Sequence, residues 1–172
     1  NMSMVPHMLD RMRDGYRLGH AKIIDSMYRD GFLCPLSDML MGATAELLAT
    51  ECNITRTEQD EFALDSQKKA ELAWANGHFD SQIAPVTVKS RKGDVVVDRD
   101  EHMRPQTTLE GLAKLPGVFA EENGTVTPGN ASGITDGAAV LVLMSADEAE
   151  RRGITPLAEF LDSQTAGTDP KR

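Results

Sequence analysis

The sequence predicts an α/β fold, and three stretches carry that expectation. Thr55 to Asn76 has the caps and apolar spacing of a helix, and Ala138 to Met144 is an apolar run of strand length. Ile83 to Val88 and Val95 to Val97 lie either side of a glycine turn, the pattern of a hairpin.

In chain order, Asn1 to Val5 reads as the end of a strand closed by Pro6, because proline cannot donate to a ladder. Its abrupt apolar alternation reads as a chain entered midway. His7 to His20 contains Asp14-Gly15, a hairpin-turn pair, among exposed arginines. Ala21 to Arg29 carries Ile23, Ile24, Met27 and Tyr28 on one face of a short helix that Gly31 ends. Met41 to Cys52 is a helix with Leu47, Leu48 and Cys52 toward one side. In the helix from Thr55, that residue and Glu58 form a capping box, and Phe62, Ala63, Ala70, Ala73 and Trp74 make a core-facing stripe. Gly77 stops it. Pro85 marks Ile83 to Val88 as an edge strand, and Arg91 to Asp94 turns the chain back. Lys89, Arg91 and Lys92 there form either a solvated turn that discourages edge pairing or an attractor for a phosphate-bearing ligand. Leu112, Leu115 and Phe119 share a helical face that Pro116 and Gly117 cut short.

Thr125 to Ser145 organises the chain. Gly129 and Gly133 flank Asn130, Ala131 and Ser132, so a backbone or ligand can approach closely and the loop can present amide groups and a hydroxyl to something polar. Taken alone, that pattern is an ordinary loop leading to a strand. Ala138 to Met144 is the buried strand; Ser145 and Glu148 then open a capping box, and Gly153 ends the helix. Leu157 to Leu161 is a further short strand.

The formal charge of -9 over 172 residues argues against a nucleic-acid groove or an anionic membrane as partner. No apolar run is long enough to cross a bilayer, and no charged start precedes an apolar signal region. A cytoplasmic or organellar-matrix location is the expectation. Cys34 and Cys52 lack metal-ligand spacing, and both read as reduced, partly buried thiols with nothing in the composition to lower their pKa. His7, His20, His78 and His102 read as exposed or structural.

The whole stretch TVTPGNASGITDGAAVLVLMS resembles the long thiolase signature GTVTxGNASGxxDGAAxxxLMS. Other segments extend the resemblance over the chain: Met2-Ser3 matches the tail of GGxxxMS, Met41 to Glu46 matches MGxTAE, and Ile54 to Ala70 matches a lid helix. Asp100 to Thr108 matches DExxRxxxT, Thr108 to Phe119 matches TLExLAKLxxxF, and Gly167 to Pro170 matches GxDP. Three positions depart from the family pattern. Leu40 stands where many thiolases have histidine, which weakens assignment to the acetoacetyl-CoA-forming branch. Pro128 replaces alanine, and Gly111 replaces a serine near the nucleotide.

The resemblance implies the central portion of a layered αβαβα fold. Residues 1–5 would end the N-terminal core half, 6–133 would form a mixed helical lid containing the hairpin, 134–155 would return to the core half, and 156–172 would begin the C-terminal half. It further implies an acyl-CoA C-acyltransferase in which Ser132 hydrogen-bonds the pantetheine amide of coenzyme A. Gly129 would permit close approach, Phe119 and Met41 would line the pantetheine arm, and Arg104 would address the adenosine phosphate end. Coenzyme A and acyl-CoA would be substrates, with no cofactor or metal.

Family enzymes place the nucleophilic cysteine upstream of this segment and the GHP histidine and CxGGG cysteine downstream. The chain is therefore expected to hold no catalytic residue and to be inactive alone. Its implied partners are the remainder of a thiolase chain and further copies in a dimer or tetramer, the arm from His7 to His20 being either a tetramer contact or a free arm. A related condensing enzyme and a non-catalytic acyl-CoA-binding or oligomerisation module are the alternatives.

Overall fold

The computed structural model describes residues 1–120 and 122–171. Arg172, the end of the last sequence-predicted segment, lies outside them. The chain divides into two compact units, one of Asn1–Phe32 with Ile134–Pro170 and the other of Leu33–Gly133 with Lys171.

In the first unit, β1 (His7–Leu9) pairs antiparallel with β2 (Ile23–Asp25), His7 opposite Asp25 and Leu9 opposite Ile23. The strand expected over Asn1 to Val5 is instead a turn, and the ladder begins after Pro6. Asp136 explains this: its carboxylate accepts from the amides of Met2 and Ser3 and from Ser3 Oγ at 2.8 Å, drawing those donors away from a ladder. A turn does form at Asp14-Gly15, where Gly15 has φ 73° and donates to the Met12 carbonyl at 3.1 Å, but it lies inside a longer excursion between the strands.

The helix expected over Ala21 to Arg29 is replaced by β2 and a π-helical turn, Tyr28–Phe32. Pairing with β1 commits Ile23 to Asp25 to an extended backbone, and Gly31 sits within the turn rather than after it. Downstream, α4 (Ala146–Arg152) is capped by Ser145, whose Oγ accepts from the Glu148 amide at 3.3 Å, and Gly153 closes it at φ 65°. Only half of the expected capping box forms, because the Glu148 carboxylate binds Arg151 Nε at 2.7 Å and Arg152.

Neither Ala138 to Met144 nor Leu157 to Leu161 forms a strand. Both lie exposed, with Val140 at 89% and Leu157 fully open. A strand exists by pairing with neighbours, and among the described residues no ladder reaches either run.

In the second unit, β3 (Leu33–Cys34) and β4 (Met39–Leu40) pair across a short turn and lead into α1 (Met41–Glu51). Ala49 is the buried residue of α1; Leu48 and Cys52 are exposed, so its inward face is rotated from the expected one and the Cys52 thiol is open to solvent. Next comes α2 (Arg56–Ala75), with the full Thr55–Glu58 capping box and Gly77 at φ 70° beyond its end. Its inward face carries Arg56, Asp60, Ala63, Leu64, Gln67, Ala70 and Trp74, a helical repeat. Phe62 is 78% exposed: two residues beyond Asp60, it falls on the opposite side of the helix, outside the stripe expected to hold it.

Strands β5 (Val86–Val88) and β6 (Val95–Val97) form the expected hairpin, Val86 opposite Val97, with Lys89, Arg91 and Lys92 exposed at its tip; the first strand is shorter than expected, since Ile83 to Pro85 lie before it and Pro85 has no amide to donate. The short α3 (Leu109–Ala113) starts at Thr108, whose side chain accepts from the Gly111 amide, and buries Leu112. Among the described residues no helix is long and apolar enough to cross a membrane, and no group of three or more His, Cys, Asp or Glu is placed to hold a metal.

Candidate functional site

The glycine-bounded loop at 125–133 is fastened to α1 and α2 by side chains. Glu46 of α1 accepts from Thr125 N at 2.8 Å, Thr125 Oγ1 at 2.6 Å and Val126 N at 2.8 Å. Burial pushes the Glu46 pKa up, but these hydrogen bonds and the charge of Arg56 outweigh it and hold the carboxyl below its ordinary value.

Thr127 is fully buried, and its Oγ1 accepts from the amides of Gly129 and Asn130 at 3.2 and 3.3 Å, tightening the turn. The Ala131 amide donates to the Thr127 carbonyl at 3.0 Å. Asn130 then ties the turn to α2. Its Nδ2 donates to Asp60 Oδ1 at 3.0 Å and to the Thr125 carbonyl at 2.9 Å, while Oδ1 accepts from Thr127 N at 2.8 Å. Asp60, only 3% exposed, is held from its other oxygen by Arg56 Nε at 2.8 Å, and Arg56 also donates to the Leu112 and Leu115 carbonyls at 2.6 and 2.9 Å. Removing either member of a buried, hydrogen-bonded charge pair of this kind leaves the other uncompensated, which is strongly destabilising.

Each sequence-predicted site residue has a definite place around this loop. Ser132 is exposed and its hydroxyl has no protein hydrogen bond among the described residues. Space for a side chain on Gly129 is taken by Leu115 and Leu112, whose methyl carbons would lie 2.5 and 2.6 Å from an added Cβ, so the close approach at this glycine is made by protein. Phe119, 37% exposed, lies against Gly42: a Cβ built there would be 2.3 Å from its ring, which seats Phe119 on the first turn of α1, where Met41 is half exposed. Arg104 is exposed, with its amide donating to Gln67 Oε1 at 2.8 Å and its carbonyl accepting from Thr107. Among the described residues its guanidinium has no ion-pair partner.

Contacts bring these residues together in two groups. Phe119 meets the start of α1, and Gly133 meets the His102 ring, 2.2 Å from an added Cβ, so Ser132 lies beside the segment that bears Arg104. An open cleft of about 530 Å³ lies nearby, lined by Glu71, Trp74, Asp98, Arg99, Met103 and Pro105, with the Arg99 guanidinium 5.3 Å above the Trp74 ring. None of the five predicted residues lines it. All four histidines are exposed. Cys34 departs from expectation: Ser37 and Leu36, in the turn that follows it, draw its thiol below the ordinary value, although the buried Ser37 hydroxyl itself has no partner within hydrogen-bond distance among the described residues. The turn supplies those neighbours, which composition does not reveal.

Sequence reasoning missed the fastening residues Glu46, Arg56 and Asp60, and it gave the Asn130 amide to an outside group, whereas the side chain turns inward to Asp60 and Thr125. One signal was available, since Arg56 and Asp60 stand four apart on the inward face of α2, the spacing of an ion pair.

The family description "Thiolase, N-terminal domain" matches residues 1–147. The acetyl-CoA acetyltransferase of Rhizobium meliloti is 51% identical over 171 residues, 99% of this chain and 43% of that protein. A beta-ketothiolase of Cupriavidus necator is 47% identical over the same length, again 43% of that protein. The chain thus spans less than half the length of these relatives. Among solved structures, the Bacillus anthracis acetyl-CoA acetyltransferase superposes with a TM-score of 0.85 at 46% identity, covering 99% of this chain and 43% of that one. Human mitochondrial 3-ketoacyl-CoA thiolase gives 0.80 at 42% identity, covering 91% and 39%. This α/β chain, with its fastened GNASG loop, belongs to the thiolase family.

Proposed function

We propose that the chain is part of an acyl-CoA C-acyltransferase and supplies the surface that holds coenzyme A. The observation that carries this reading is Ser132: an exposed hydroxyl with no protein partner, on a loop whose every other polar side chain is engaged. A loop held this rigidly can offer one unpaired hydroxyl to an amide of the pantetheine arm without paying to order it. Phe119 and Met41 present apolar surface to the same arm. Arg104 has a guanidinium free to meet a phosphate or stack on a base. Gly129 contributes the tight turn that lets Ser132 stand clear, a role its packing against Leu112 and Leu115 supports.

Acyl transfer needs an activated thiolate and donors for the oxyanion. We assign neither to this chain. Cys34 ends β3 with a lowered pKa but has no histidine beside it among its stabilising groups, and Cys52 is an exposed thiol after α1. The acyl group is passed by residues of the longer protein, in a cytoplasmic or matrix homo-oligomer.

Calorimetric titration of coenzyme A into the full-length protein tests this reading. Ser132→Ala and Arg104→Ala are each expected to weaken binding about fivefold to tenfold, the worth of one hydrogen bond or one charge contact. Unchanged affinity in both variants rejects it. Cys34→Ser is expected to keep full turnover.

A further inference from the structure

We infer that Asn130, Asp60 and Arg56 are positioning residues that set the geometry of Ser132, and through it the affinity for the pantetheine arm. The inference rests on the coenzyme A reading above, but concerns groups that touch no ligand.

Asn130 fits this place in one orientation only. The Thr127 amide can only donate, so it must meet Oδ1; the Asp60 carboxylate and the Thr125 carbonyl can only accept, so both must meet Nδ2. All three contacts fix the side chain, and with it the turn from Thr127 to Ala131. Beyond Ser132, Gly133 packs on the His102 ring, so the serine is bracketed between a locked turn and a packed glycine. Asp60 is in turn held by Arg56, which is anchored on the Leu112 and Leu115 carbonyls. Those leucines also fill the space beside Gly129. One chain of contacts therefore runs from α2 through the buried ion pair to the backbone that bears the exposed hydroxyl.

Asn130→Asp keeps the shape but removes both donors and sets a second carboxylate against Asp60. Its effect is read in a cycle with Ser132→Ala, by calorimetric titration of coenzyme A into the folded full-length protein. We expect Ser132→Ala and Asn130→Asp each to weaken affinity about fivefold to tenfold, and the double variant to be no weaker than either alone, because the second change acts through the group the first removes. A purely structural role lowers the unfolding midpoint but leaves the affinity of the folded protein unmoved.

Loss of affinity in Ser132→Ala with none in Asn130→Asp overturns the positioning role and leaves the coenzyme A reading standing, as do losses that multiply. No loss in Ser132→Ala overturns this inference, and the coenzyme A reading falls with it when Arg104→Ala is also without effect. If Asn130→Asp fails to fold, Arg56→Lys serves in the same cycle: it keeps a charge for Asp60 but loses the planar fork that spans the carboxylate and two carbonyls.

Discussion

Thr125–Gly133 and Ile134–Met144 are consecutive halves of one signature, yet they are held in different ways. The first half takes its shape from individual side chains: Glu46, Asp60 and Asn130 meet its amides and carbonyls one by one, and Thr127 is sealed from water. The second half has apolar residues that cover nothing, and Val140, Leu141 and Leu143 are each more than 80% exposed. A loop can be set by three or four polar contacts to adjacent helices. A strand needs a sheet, and its apolar character declares only what it would bury.

The largest effect expected from breaking this contrast is at Asp60. Asp60→Ala leaves the Arg56 guanidinium without its carboxylate and Asn130 with an unmet donor, at a cost of about 3 kcal/mol. Urea unfolding of the full-length protein measures it, and a loss below 1 kcal/mol would mean that the loop is held by something else. Next are the glycine contacts. At Gly42 an added methyl meets the Cδ2–Cε2 edge of the rigid Phe119 ring at 2.3 Å, whereas at Gly129 it meets the tips of two leucines. Gly42→Ala should therefore cost about 2 kcal/mol and Gly129→Ala nearer 1, by thermal unfolding. Equal losses would show that the leucines have no room to move.

How much was legible in the sequence follows the same division. The capping box at Thr55, the stop at Gly77 and the hairpin around Gly93 depend on residues within a few positions, and all three appear as read. Asn130 bonds a residue 70 positions away and Glu46 one 79 away, distances at which no local pattern signals the pairing. Residues 23–25 were read as helical because their apolar spacing suits either element; pairing with β1 decided it. The strand at 138–144 was misjudged for the converse reason, since its local signal is strong and its partners are not local. That Ser132 stands exposed on a glycine-bounded loop was readable, but what fills the space beside Gly129 and Gly133 was not: Leu115 and His102 occupy it.

A smaller effect is expected from Glu46, and its sign depends on pH. The folded pKa lies below the ordinary value of 4.5, so the group stabilises the fold above that pH and loses its contribution as pH falls through the folded pKa. Glu46→Gln keeps one acceptor but no charge, and should lower stability by about 1.5 kcal/mol at pH 7. Unfolding titrations of both forms should converge once the pH has fallen below the folded pKa of Glu46. A gap that persists in acid would assign the loss to packing around Thr125 rather than to the carboxylate.

The smallest effect is expected at Val142, and it sharpens the contrast most. The side chain is 79% exposed, so Val142→Thr in this 172-residue chain should change stability by less than about 0.5 kcal/mol. Hydrogen exchange should agree: the amides of Thr125, Val126, Thr127 and Ala131, each bonded to protein, should exchange more slowly than those of Val140 to Leu143, which have no ladder. In the full-length protein, where sheet neighbours for this run would have to come from chain outside these residues, a strand here predicts that the same substitution costs about 1 to 2 kcal/mol, because a hydroxyl would then replace a buried methyl. Equal effects in the two settings would mean that this run is not a strand in either, and its valines and leucines would need a different partner.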